Sequence, residues 1–268
     1  MKKCLILFSV LLVLMLSLGA KSCDFDDFSF NNQRIRGSGR MDEETRNVRG
    51  VTGVKLATIG LLTVELGNKE DLVIEAEDNL LEYFETEVTN GILTIRTRRH
   101  VSIRPRREVR YLLIVKRLES VSTSSSGDIR LPDIKTDRFT IRVNSSGDIT
   151  AEDFEVNTLS ARISSSGNID MERLEADKID VHISSSGDLR INDGVVNKQE
   201  ITISSSGNYQ AGRLESKRAD VRVSSSGDAY IHAEDYLYAR ISSSGNIYYS
   251  GNPDVDKRIT SSGKLYKR

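Results

Sequence analysis

The sequence predicts an all-β chain wound into a β-helix solenoid: about eight stacked coils of about 20 residues each, with a β-rich region capping the N-terminal end. Three observations predict it. Ser-Ser-Gly recurs with its glycine at Gly127, Gly147, Gly167, Gly187, Gly207, Gly227, Gly245 and Gly263, at spacings of 20, 20, 20, 20, 20, 18 and 18. On both sides of each glycine apolar and polar residues alternate with period two, as half-buried strands do. The same residue types also return at the same place in each unit. Coils stacked about 4.8 Å apart would set like residue on like, whereas a hairpin meander has no reason to keep such columns.

Residues 1–22 read as an export signal. Lys2 and Lys3 precede an apolar run from Leu5 to Leu18, too short for a typical membrane span, and Gly19, Ala20 and Ser22 follow it. An uncleaved anchor helix is the alternative. The chain has two cysteines, Cys4 within the signal and Cys23 just beyond it, so the mature chain holds no internal disulfide. Ala20-Lys21-Ser22-Cys23 resembles a bacterial lipoprotein box, departing from it at Lys21 and in lacking Leu three residues before the cysteine. The expectation is acylation of Cys23 and a lipid anchor at a bilayer; ordinary cleavage leaving a free thiol is the other outcome. Residues 23–30 form a short acidic linker with Asp24, Asp26 and Asp27.

Residues 31–120 lack the repeat but are β-rich. Val88 to Ile95 with Asn90-Gly91 at its centre predicts a tight hairpin. Leu72-Val73-Ile74 and Tyr111 to Val115 predict buried strands, and Asp78 to Glu85 one helical turn. Arg98, Arg99, Arg104, Arg106, Arg107 and Arg110 make a basic stretch that reads as a solvated loop in preference to an anion site.

Residues 121–268 are the repetitive coils, each expected to hold two short strands around the corner and about six inward side chains. Such a unit cannot offset the entropy of ordering itself and must stack. Two residues after each glycine come Ile129, Ile149, Ile169, Leu189, Tyr209, Ala229, Ile247 and Leu265. Four before come Thr123, Val143, Ile163, Ile183, Ile203, Val223, Ile241 and Ile259. The glycine is expected to supply a positive φ. Asp or Asn after seven of the eight glycines is expected to bond the turn backbone, and the serines each other and the corner amides.

Several of these segments together resemble one family. Gly37-Ser38-Gly39, Glu44-Thr45-Arg46, Leu72 to Ala76 followed by Asp78-Asn79-Leu80-Leu81, Leu118-Glu119-Ser120-Val121, and the ending with Gly251-Asn252-Pro253 and Ser262-Gly263 are similar to the head GIN domain of autotransporter adhesins. The match spans about residues 30–268 and departs in using Ser-Ser-Gly where Gly-Ser-Gly is common. The resemblance implies a right-handed parallel β-helix in an exported or lipid-anchored bacterial protein. It brings no catalytic residues.

Alternation assigns the outward columns. Five before each glycine lies a basic stripe that includes Arg222, Arg240 and Arg258, and seven before lies a partly acidic one that includes Asp180, Glu200 and Asp220. Mutual ion pairing is the preferred reading; a groove for an acidic polymer is the sharper one. Three after the glycine, Tyr230, Tyr248 and Tyr266 predict an exposed tyrosine ladder, suited to sugar rings or a protein partner, or else to packing that protects the last coils.

The candidate function is therefore a non-enzymatic cell-envelope protein that presents its surface to a glycan or a protein, held at the membrane through Cys23 or else secreted or periplasmic. Net charge is −1, which speaks against nucleic acid. No catalytic residue, cofactor or metal is expected: there is no Gly-x-Ser-x-Gly elbow, and His100, His182 and His232 lack metal-ligand spacing. A polysaccharide-degrading β-helix enzyme and a structural or self-assembly module are the alternatives.

Overall fold

A computed structural model describes residues 33–268, which form one compact unit. The expected export signal, Cys23 and the expected linker lie outside the described residues. The chain is a β-solenoid of about seven turns, with coils about 20 residues apart.

Each coil has three walls, one more than the two-strand reading. Ile149–Ile163 shows why. Its inward residues are Ile149, Ala151, Phe154, Val156, Leu159, Ala161 and Ile163, seven of the fifteen. Alternation slips at Glu152-Asp153 and at Asn157-Thr158, where two consecutive residues face outward. Each slip is a bend gentle enough for the ladder hydrogen bonds to continue, so the walls read as one strand. The Ser-Ser-Ser-Gly corner is the third and sharpest bend. Register between coils is strictly parallel: Ile149 sits on Ile169, Phe154 on Leu174, Ile163 on Ile183. The first two apolar columns are buried from end to end except in the last coil, where Leu265 is half-buried and Ile259 is 37% exposed. The strand Asp254–Ile259 has a ladder partner on one side only among the described residues, which explains why Lys257 stays exposed although it sits in register on the buried Ala239.

The corner glycines differ from expectation in their role. Among the described residues the positive-φ glycines are Gly39, Gly50, Gly60, Gly91, Gly194 and Gly251, and no Ser-Ser-Gly glycine is among them. Space is what they supply. A Cβ on Gly187 would overlap the carbonyl oxygen of Gly167 directly beneath, and the same clash recurs from Gly147 to Gly263. The corners stack so closely that only hydrogen fits.

Between corners runs a ladder of carboxylates and amides. The backbone N–H of Asp148 donates to Asp128 Oδ1 at 2.9 Å, Asn168 to Asp148 at 2.7 Å, Asp188 to Asn168 at 2.9 Å, and so on to Lys264 and Asn246 at 3.1 Å. Where Asn follows Asp, its side-chain amide also donates to the same oxygen, as Asn168 does to Asp148 at 3.0 Å. The serines bond differently from expectation. Ser184 and Ser224 donate to carbonyls of the coil beneath, Ile163 and Ile203, each at 3.4 Å, and Ser164 to Asn144 Oδ1 at 3.0 Å.

The solenoid also extends below the repeat. Gly53–Ala57 pairs in parallel with Ser120–Thr123, and Leu61–Leu66 with Asp128–Leu131, so Thr58-Ile59-Gly60 is a corner without the Ser-Gly signature. One layer lower, Ile92–Thr97 and Arg110–Val115 continue the same two walls. Antiparallel strands then close the end: Phe84–Thr89 on Ile92–Thr97, Asp71–Glu77 on Arg110–Val115, and Met41–Asn47 on Asp71–Glu77. The Asn90-Gly91 hairpin is present, with φ of 51° and 78° as a type I′ turn needs. The expected helical turn is a 3₁₀ turn at Leu81–Tyr83. The basic stretch is more than a loop: Val101–Arg104 pairs with Gln33–Arg36 in a small parallel sheet where a corner would otherwise stand.

Candidate ligand-binding surface

The wall that follows each corner carries the tyrosine ladder. In-register pairing places Tyr230 on Tyr248 and Tyr248 on Tyr266. Their rings stack at centroid distances of 4.6 and 5.1 Å, with planes 5° and 13° apart. Burial raises the hydroxyl pKa of Tyr248 above its ordinary value, and the Asp228 carboxylate adds to this. Stacking has a consequence for recognition. The inner faces cover one another, so the column offers a ring face only at its ends and edges and hydroxyls along its length. Arg268 lies beside the ladder: its guanidinium carbon is 4.7 Å from the Tyr230 centroid and 4.8 Å from that of Tyr248. Equal distances to two rings stacked 4.6 Å apart place it at their flank and not over either face.

Tyr230 turns its open face toward Gln210, its partner one coil below. There the surface dips into a concavity of about 410 Å³ lined by Arg190, Asn192, Gln210, Arg213, Tyr230 and Arg268, among others. Further toward the N-terminus a concavity of about 720 Å³ carries Asp133, Glu152, Asp153 and Glu172 against a single Arg130. Charge thus reverses along this side of the solenoid.

Arg222, Arg240 and Arg258 are in register with one another and exposed, but on the wall that precedes the corner. The Ser-Ser-Ser-Gly corner separates them from the tyrosines, so the two groups do not form one site. Arg222 pairs with Asp220 at 2.7 Å, and His182 with Asp180 at 3.2 Å. Glu200 is held between Lys178 and Lys198, whose hydrogen bonds lower its pKa. Much of this wall therefore neutralises itself. Asp220 is the exception: burial outweighs Arg222 and raises its pKa, and its Oδ1 is buried with no hydrogen-bond partner.

The columns missed three groups. Gln199 stands fully buried where neighbouring coils place Ile179 and Ala219. It accepts a hydrogen bond from the Tyr209 hydroxyl at 2.7 Å and donates to the His232 carbonyl at 3.2 Å, which also receives Ser216 Oγ at 2.6 Å. Complete burial pushes the Tyr209 pKa up. The break in the apolar column at Gln199 was the available signal. Second, the Glu77 carboxylate, fully buried, accepts the backbone N–H groups of Gly39 at 2.6 Å and Arg106 at 2.9 Å, tying the Gly37-Ser38-Gly39 segment to the closing strands. Beside it Ser38 donates to Asp78, which lowers the carboxyl pKa.

Third, His232 Nδ1 lies 2.9 Å from Ser250 Oγ and its Nε2 2.6 Å from Glu234 Oε1. A hydroxyl, an imidazole and a carboxylate in line are the parts of a nucleophile relay. The two amides that follow His232 in the chain are already spent: Ala233 N–H donates to the Ser250 carbonyl at 3.1 Å and Glu234 N–H to that of Ser216 at 2.9 Å. Neither is free to stabilise an oxyanion. No group of three or more His, Cys, Asp or Glu side chains suited to a metal ion occurs among the described residues.

Comparison with known proteins agrees with this architecture. Solved structures share it at low identity. The chain superposes on a "Putative lipid binding protein" from Parabacteroides distasonis with a TM-score of 0.81 at 23% identity, covering 88% of this chain and 100% of that one. A "putative adhesin" from Parabacteroides merdae gives 0.80 at 20% identity over 88% and 99% of the two chains. Another from Parabacteroides distasonis gives 0.80 at 24% over 88% and 100%. At these identities the likeness is one of fold. No curated protein matches the chain. The model of the family described as "Putative auto-transporter adhesin, head GIN domain" matches twice, over residues 51–172 and 152–253. The overlap is what a repeat with a 20-residue period produces, and the two matches together span most of the chain. The chain belongs to the head GIN domain family.

Proposed function

We propose that this is an exported, non-catalytic cell-surface protein that binds a glycan or protein partner through the wall carrying Tyr230, Tyr248 and Tyr266, with Cys23 as its acylated anchor. One observation carries the reading. Three aromatic side chains of successive coils stand in register on the outside of a solenoid whose interior columns are otherwise closed. Aromatic surface with polar tips is costly to leave in water and is enriched where proteins meet ligands. The adhesin description of the family and the "putative adhesin" relatives of the same fold support it.

A glycan array probed with the wild-type chain and with a Tyr230→Ala/Tyr248→Ala/Tyr266→Ala variant tests it. Binding by the wild type that drops at least tenfold in the variant is the expected result. Turnover of uronate polymers would point instead to the enzyme. Concentration-dependent growth in light scattering, abolished by the same variant, would point to self-assembly.

A further inference from the structure

The concavity beside the ladder has a charge and shape of its own. Three guanidinium groups, those of Arg190, Arg213 and Arg268, line it. Among the described residues neither Arg213 nor Arg268 has an acidic partner, and both are exposed. The Arg190 guanidinium has only a distant carboxylate, Asp170 at 3.6 Å, and spends two N–H groups on a single amide oxygen, Gln210 Oε1, at 3.3 Å each. Contrast the neighbouring wall, where Arg222 holds Asp220 at 2.7 Å. Arginines left this way around one depression present a fork of donors that matches a planar carboxylate. Tyr230 lines it on the side away from Tyr248, and the volume of about 410 Å³ falls in the range of small-ligand sites. Holding the Gln210 oxygen also leaves its NH₂ group to meet a hydroxyl.

We infer that this concavity binds one uronic acid residue of an acidic polysaccharide, with Arg213 and Arg268 taking the carboxylate and the Tyr230 face taking the sugar ring. The chemistry suits a carboxylated sugar better than a neutral one, because a neutral ring would leave Arg213 and Arg268 without an anion. It suits a polymer because the wall continues past the site along the last coils, through Tyr248 and Tyr266. The direction is set by charge: toward the N-terminus the same side becomes acidic at Asp133, Glu152, Asp153 and Glu172 and would repel the chain. The polymer therefore runs along the last coils, past the ladder edges. This inference rests on reading the ladder as a binding surface and adds to it the class of ligand.

The test is calorimetric titration of the full chain with a galacturonic acid trimer and, in parallel, a neutral galactose trimer. The acidic trimer is expected to bind at least tenfold tighter than the neutral one at low salt and to lose most of that advantage at high salt. Arg213→Ala and Arg268→Ala should each weaken the acidic trimer about tenfold or more and leave the neutral one unchanged. Arg222→Ala should change neither. Circular dichroism confirms that each exposed-site variant is folded. If both trimers bind equally, with dependence on Tyr230 and none on Arg213 or Arg268, the uronate inference is overturned while the ladder reading stands. If neither trimer binds and the array is also empty, both are overturned.

Discussion

One oxygen of Asp188 accepts two hydrogen bonds from Asn208, the residue one coil above: from its backbone N–H at 2.7 Å and from its side-chain amide at 2.9 Å. The same pairing joins Asp148 to Asn168 and Asp228 to Asn246. Corner amides that would otherwise lack a partner are satisfied by side chains of the coil below, and from Asp148 onward alternation of Asp with Asn keeps like charges from stacking.

Removing one rung should open one corner. Asp188→Ala leaves the half-buried Asn208 amide without its acceptor and should cost about 1–3 kcal/mol. Asp188→Asn keeps an oxygen in place and should cost less. Hydrogen exchange at the Asn208 amide reads the effect locally. Equal protection in wild type and Asp188→Ala would mean that the rung carries no energy.

Two glycines separate space from flexibility. Gly187→Ala drives a Cβ into the Gly167 carbonyl, so the coils must part, at a cost of at least about 3 kcal/mol. Gly212 has no positive φ and nothing nearer than Tyr230 Cβ at 3.9 Å to an added methyl. Gly212→Ala should therefore be neutral or gain up to about 1 kcal/mol by restricting the unfolded chain. Thermal unfolding compares them; a Gly187→Ala protein that melts with wild type would refute the stacking account of the corner.

Asp220 should weaken the fold at neutral pH. Its folded pKa is raised, chiefly by burial, so the native state binds the proton more tightly than the unfolded chain does. Stability is then lost as pH rises from the unfolded value, about 3.9, through the raised folded value. Asp220→Asn removes that loss while keeping a partner for Arg222. The variant should melt higher than wild type at pH 7, with the gap closing below about pH 4. A gap that widens in acid would reverse the assignment.

Ser250 provides a direct check on the non-catalytic reading. With Ala233 and Glu234 amides engaged, a fluorophosphonate probe should not label the protein. Attack by Ser250 Oγ on the probe phosphorus, with its proton passing to His232 and fluoride leaving, would show as a labelled peptide containing Ser250. Labelling that disappears in His232→Ala would restore the enzyme reading.

The repeat made the architecture legible before any coordinates. The spacing of the corner glycines, the apolar columns and the like-on-like register all follow from residue identity, since a stack sets each side chain on its counterpart. Family membership and the position of the tyrosine ladder were readable on the same grounds. The Gly53–Ala57 and Leu61–Leu66 coil was not, because Thr58-Ile59-Gly60 makes its corner with a positive φ at Gly60 and carries no Ser-Gly mark.

Residue order alone thus determined the winding, the inward and outward sides, and the chemistry of the corner rung. Tertiary structure decided what depends on distances across coils. It turned the corner glycine from a conformational need into a steric one, because the carbonyl beneath is what excludes a Cβ. It split each coil into three walls, since a bend shows in sequence only as a slip of one residue in the alternation. It also put the arginine column on a different wall from the tyrosines and gathered Arg190, Arg213 and Arg268 around Tyr230. Arg190 shares the tyrosine column, but Arg213 and Arg268 stand in others and the three arginines are up to 78 positions apart, so only the closed path of the chain brings all of them together.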